Sequence, residues 1–124
     1  MNHLSLRFVP YALVLALLAA CGGAGFGKDV RKDIEKQMNS AHAEITACYA
    51  AALQRNRKLK GTLMVGVKTD PETGRFHRAR VKSSELKDKE LEQCVIGTIA
   101  QLKLDKPTTT SVEADYPLEF KPKN

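Results

Sequence analysis

From Val30 onward, apolar residues recur at three- and four-residue steps, at Val30, Ile34, Met38, Ala41, Ile45, Cys48 and Ala52. That is the one-faced periodicity of an amphipathic helix. Asp29 stands ahead of the run as a capping residue, Asn39-Ser40 marks a place where the helix can break, and Gly61 is expected to end it. A break there makes residues 29–40 a candidate stalk. From Thr62 to Thr69 the period changes to two, with Leu63, Val65 and Val67 alternating with Thr62, Met64 and Lys68, which predicts a half-buried strand. Asp70-Pro71-Glu72-Thr73-Gly74 reads as a tight loop in which proline presets the first turn residue and Gly74 takes a left-handed position. A return strand over 75–83 then places His77, Ala79 and Val81 on one face and Arg78, Arg80 and Lys82 on the other.

Ser84 or Asp88 caps the next helix, in which Leu91, Cys94, Val95, Thr98, Ile99 and Leu102 share a face, so that Cys94 points to the core side that Cys48 also occupies. Past the Lys106-Pro107 loop, Val112, Ala114, Tyr116, Leu118 and Phe120 alternate with Glu113, Asp115, Pro117, Glu119 and Lys121. Pro117 has no N–H to give to a ladder, so this last strand is expected to lie at a sheet edge or to end there. The order helix, strand, strand, helix, strand predicts an α+β fold, a single αββαβ domain over 29–122. Its three-stranded antiparallel sheet has the order 2-1-3 and is covered on one face by two helices.

The segment ahead of that domain changes the picture. Arg7 precedes an apolar run, Tyr11 to Ala20, which has the length of a secretion-signal core and falls short of the roughly 20 residues a spanning helix needs. The run ends in Leu18-Ala19-Ala20-Cys21, which resembles the lipobox of bacterial lipoproteins. The resemblance implies that residues 1–20 are a signal peptide and that Cys21 carries lipid. Residues 21–28 are then a glycine-rich tether, whose Gly22–Gly27 stretch reaches at most about 20 Å. Gly22, where an Asp would favour retention, implies sorting to the outer membrane, facing the periplasm.

In an oxidising compartment Cys48 and Cys94 remain, and two thiols allow one intramolecular pairing. The disulfide joining the two helices is therefore the expectation; two buried free thiols, or pairing between chains, are the alternatives. His42 and His77 are the other candidate ligands, but neither C-x-x-C nor H-x-x-x-H spacing occurs. No metal, cofactor or small-molecule substrate is expected. Ser83-Ser84 lacks the glycine-flanked elbow of a serine nucleophile, so no catalytic residue is assigned and the chain reads as a non-enzyme.

A formal charge of +6 and a pI of about 9.3 bring in two basic clusters, Arg55, Arg57, Lys58 and Lys60, and Arg78, Arg80 and Lys82. An exported chain has little access to nucleic acid, so an acidic protein face or anionic lipid headgroups are the partners such clusters suit; the plainer reading is a solvated surface.

The ordered set Gly61-Thr-Leu-Met-Val-Gly-Val67, Val81-Lys-Ser-Ser-Glu-Leu-Lys-Asp88, Leu91-Glu-Gln-Cys-Val95 and Tyr116-Pro-Leu-Glu-Phe120 resembles the TonB C-terminal domain superfamily. Its myxobacterial AgmX/PglI branch, with a cysteine in each helix and a final Tyr-Pro-x-x-Phe strand, is the nearest in pattern. The resemblance spans Ile45 to Phe120 and implies a non-catalytic module that binds other envelope proteins by adding an extended segment to the last strand. The corresponding edge is Val112, Glu113, Ala114, Asp115, Tyr116, Leu118 and Phe120. With no inner-membrane helix and no long proline-rich span, an adaptor, tether or assembly factor is expected. A structural lipoprotein resting its basic surface on headgroups is the alternative, and a small-ligand carrier or enzyme comes last.

Overall fold

The computed structural model describes residues 27–122. The expected signal segment, Cys21 as the expected lipid site, and most of the expected tether lie outside the described residues. The elements are α1 (Lys28–Ser40), α2 (His42–Arg55), β1 (Gly61–Lys68), β2 (Arg80–Ser84), α3 (Lys89–Ile99) and β3 (Glu113–Phe120). β1 is central and antiparallel to both neighbours, giving the order β2-β1-β3. This is the expected α+β architecture, with one addition: the first helical run is two helices, divided at Ala41.

Asp29 does not cap α1. The N-cap is Gly27, which makes no side-chain bond, and Asp29 lies in the first turn, where its charge still suits the helix dipole. The helix is not a free stalk. Ile34 and Met38 are buried in the same apolar cluster as Leu63 and Val95, and Asp33 accepts the backbone N–H groups of Asp105 and Lys106 at 3.1 and 2.9 Å. Gln37 and Lys36 add side-chain bonds to Asp105, so α1 is fastened to the loop that follows α3. Burial acts to raise the Asp33 carboxyl pKa, and the two backbone donors outweigh it, holding the group below its ordinary value.

α2 ends at Arg55, before the glycine expected to stop it, because Leu59 folds back into the core and its carbonyl accepts the Tyr49 hydroxyl. The Tyr49 ring also meets Phe120 with centroids 5.0 Å apart, tying α2 to the far end of β3. α3 starts at Asp88, whose side chain accepts the N–H of Leu91. Ser84 ends β2 instead, its Oγ accepting from Leu86 in a turn.

The return strand is shorter than the alternation predicts. Residues 75–79 are not in it, because Phe76 is fully buried and its N–H bonds the carbonyl of Leu102. Burying a whole phenyl ring outweighs several exposed ladder bonds, so the chain leaves the sheet to reach the core. His77 and Arg78 consequently sit in a turn beside Asp70, and only Arg80 and Lys82 reach the sheet. Gly74 has the left-handed conformation that its loop requires, φ 72°, and a Cβ there would come within 3.1 Å of Leu104 Cβ.

The expected disulfide is present. Cys48 of α2 and Cys94 of α3 are bonded, with Cα atoms 5.8 Å apart. The two half-cystines are not equivalent: Cys48 is buried at 6% exposure, whereas Cys94 lies on the exposed flank of α3, where Leu91, Val95 and Ile99 form the buried stripe. The staple thus joins a core position on α2 to the exposed flank of α3.

Candidate functional site

The backbone phase of β3 follows from a few bonds. Thr69 N–H bonds the carbonyl of Val112, and hydrogen-bonded pairs alternate along an antiparallel ladder. With the register Val67↔Ala114, Val65↔Tyr116, Leu63↔Leu118 and Gly61↔Phe120, those four residues of β3 turn their backbone groups toward β1. Glu113, Asp115, Pro117 and Glu119 turn theirs away. On the other side, Glu85 N–H bonds the Thr62 carbonyl, which assigns the even-numbered residues of β1 to β2, as the same alternation demands. Pro117 therefore occupies an edge-facing position, where its missing N–H costs the sheet nothing. Val112 precedes the strand proper and is buried, so it is an anchor of the edge and not part of its open face.

The eight residues of β3 leave an open ladder. The Glu113, Asp115 and Glu119 side chains stand on the sheet face away from the helices. Ala114, Tyr116 and Leu118 face the helix layer and are half-buried, and Phe120 is buried. Beyond them, α2 and the last residues of the domain enclose a groove of about 680 Å³. Ile45, Tyr49, Leu53, Leu118 and Phe120 give it an apolar floor; His42, Arg57 and Lys121 stand on its rim. Thr46, Ala50 and Leu53 repeat at four- and three-residue steps along the wall, a second helical face that the stronger Ile45-Cys48-Ala52 stripe masks in the sequence.

The opposite edge is built differently. β2 has five residues and a register shift at Met64/Val65 that leaves Lys82 without a partner residue on β1. Such an irregularity blunts an edge. A groove of about 460 Å³ between β2 and α3 has Val81, Ile96 and Gly97 on its floor, with Lys89, Glu92 and Arg80 around them.

Charges on the outer sheet face are paired, twice across strands and once along the chain at the end of β3. Lys82 reaches over β1 to Asp115 at 3.2 Å, a path open because Gly66 lies between them; a Cβ at Gly66 would come within 3.0 Å of the Lys82 side chain. Lys68 meets Glu113 at 3.5 Å and Lys121 meets Glu119 at 3.6 Å. In each contact one carboxylate oxygen is engaged.

The basic cluster after α2 divides. Arg55 is committed to Asp88 and Glu90 at 2.7 and 3.1 Å, and hydrogen bonding with Asp88 raises its pKa while lowering that of Asp88. Arg57, Lys58 and Lys60 are exposed and have no ion pair among the described residues. Lys87, not singled out by the sequence, stands in the adjoining turn, since Glu85 packs against Gly61 and bonds Thr62.

His42 and His77 are separated, one on the groove rim and the other bonded to Asp70. Among the described residues no group of three or more His, Cys, Asp or Glu is placed to hold a metal ion, and no helix is long and apolar enough to cross a membrane. Compared with protein families, curated proteins and solved structures, the chain matches none.

Proposed function

We propose that this chain is a non-catalytic cell-envelope lipoprotein, held by lipid on Cys21, whose domain captures an extended segment of another envelope protein along β3. The carrying observation is the open eight-residue edge of β3 beside the apolar groove of α2. An added strand satisfies the outward backbone groups of Glu113, Asp115 and Glu119, and its alternate side chains enter the groove. The element order and the closing Tyr116-Pro-Leu-Glu-Phe120 support a TonB-like manner of binding. Adaptor or assembly work follows from capture without chemistry.

The test uses display of random extended nonapeptides against the full chain. Enriched peptides should bind the wild type and lose binding to Asp115→Pro, which removes an outward N–H and leaves the β1 ladder intact. Ala114→Pro is the contrasting variant, because it removes a bond to β1 and should unfold the sheet. Enrichment indifferent to Asp115→Pro, with the fold retained, contradicts the proposal.

A second reading rests on Arg57, Lys58, Lys60 and Lys87, gathered at one end of the domain without ion pairs among the described residues. Each cation held against an anionic leaflet contributes about 1 kcal/mol. Binding of the unlipidated chain to anionic vesicles that is lost between low and high salt would favour that reading.

A further inference from the structure

We infer that the segment taken up by β3 carries Lys or Arg at alternate positions with large apolar residues between them; this rests on the edge-capture reading above. The outward-facing backbone positions of β3 are the ones whose side chains stand on the open face of the sheet, and three of the four are acidic: Glu113, Asp115 and Glu119. An added strand sets its own side chains of the same face against them, where opposite charges attract and like charges repel. The intervening side chains of that strand turn the other way, toward Tyr49, Leu53 and Leu118 in the groove. Alternating cationic and apolar positions satisfy both demands.

The existing lysine contacts do not use up these carboxylates. Lys68, Lys82 and Lys121 approach from within the domain, and each meets a single oxygen. A carboxylate accepts several hydrogen bonds, so its other oxygen remains for a donor arriving from the free edge. The chain as a whole is basic, at +6, and should repel a cationic peptide. An acidic row on the longer open edge of this sheet, in a basic protein, is therefore a local signal set against the overall field.

The same row argues against a second copy as the occupant. Two β3 strands paired about Pro117 would set Asp115 of one copy opposite Glu119 of the other, and pairing about Asp115 would set the two Asp115 carboxylates against each other.

Three fluorescein-labelled nonapeptides test the inference by anisotropy with the full chain. They share Val and Ile at even positions and carry Lys and Arg, Thr, or Glu at odd ones. The cationic peptide should bind about tenfold more tightly than the Thr peptide, from about a twofold gain at each of three cross-strand pairs, and the Glu peptide more weakly than either. The triple variant Glu113→Gln, Asp115→Asn, Glu119→Gln should keep its thermal midpoint within a few degrees, bind the Thr peptide as before and lose the preference. Equal binding of all three peptides, abolished by Asp115→Pro, would overturn the charge inference and leave edge capture standing. Binding of none would overturn both. Self-association of the free chain through β3, seen by sedimentation and abolished by Asp115→Pro, would overturn the inference in favour of a second copy.

Discussion

Reduction of the Cys48–Cys94 bond should lower stability by about 4 kcal/mol. The two residues are 46 apart in sequence, and the loop-closure entropy that a cross-link of that span removes from the unfolded chain is about 13–14 cal/mol/K, or about 4 kcal/mol at 25 °C. For a domain of this size the loss corresponds to a fall of about 20 °C in thermal midpoint. The asymmetry of burial makes the test sharper. Cys94→Ala removes the cross-link from an exposed flank, so it should match the reduced wild type within about 0.5 kcal/mol. Cys48→Ala removes the cross-link and also leaves space in the core beside Thr98, and should fall a further 1–2 kcal/mol or so below. Urea unfolding followed by circular dichroism, with and without reductant, reads all four states. A loss on reduction of under about 1 kcal/mol, or Cys94→Ala as damaging as Cys48→Ala, would refute this account of the staple.

Asp33→Asn should destabilise by about 1–2 kcal/mol at pH 7 through the weakened hold of α1 on Asp105 and Lys106. Because the folded-state pKa of Asp33 lies below its unfolded value, its contribution is present above the unfolded pKa and disappears as pH falls through the folded one; wild-type and variant urea midpoints should converge in acid. Asp88→Ala should cost about 1 kcal/mol as a lost helix cap, while Arg55→Ala, removing an exposed partner of the same carboxylate, should cost less than Asp88→Ala. Thermal unfolding separates them. Gly74→Ala should cost about 1–2 kcal/mol, from the left-handed backbone together with crowding by Leu104 and Pro107.

The architecture was legible where periodicity was unbroken. Leu63-Val65-Val67 and the alternation from Val112 to Phe120 each had one consistent reading, and the crossover then left little choice but the order β2-β1-β3. Reading failed where a single long-range burial decided the path. Phe76, in a strand-like stretch, belongs to the core beyond the sheet, and no local pattern announces that its N–H will meet Leu102. Leu59 similarly shortens α2 by drawing the chain inward ahead of Gly61. Pro117 correctly marked the edge, but the groove beside it needs α2 and β3 together, and Thr46-Ala50-Leu53 carries too little hydrophobicity to stand out. The backbone phase of β3, which no side-chain pattern specifies, makes Glu113 and Asp115 the informative positions for proline substitution, because the N–H groups of Val112 and Ala114 face inward.

On the proposed function, β3 is the surface that receives another chain. Amide hydrogen exchange of the full chain, measured by NMR with and without whichever of the three nonapeptides binds best, tests it most directly. The outward amides of Glu113, Asp115 and Glu119 should exchange at least about tenfold more slowly when the peptide is bound, while those of Val81 and Ser84 on the β2 edge stay unchanged. Protection that appears on β2 or on the helices, with the β3 edge unaffected, would contradict the account.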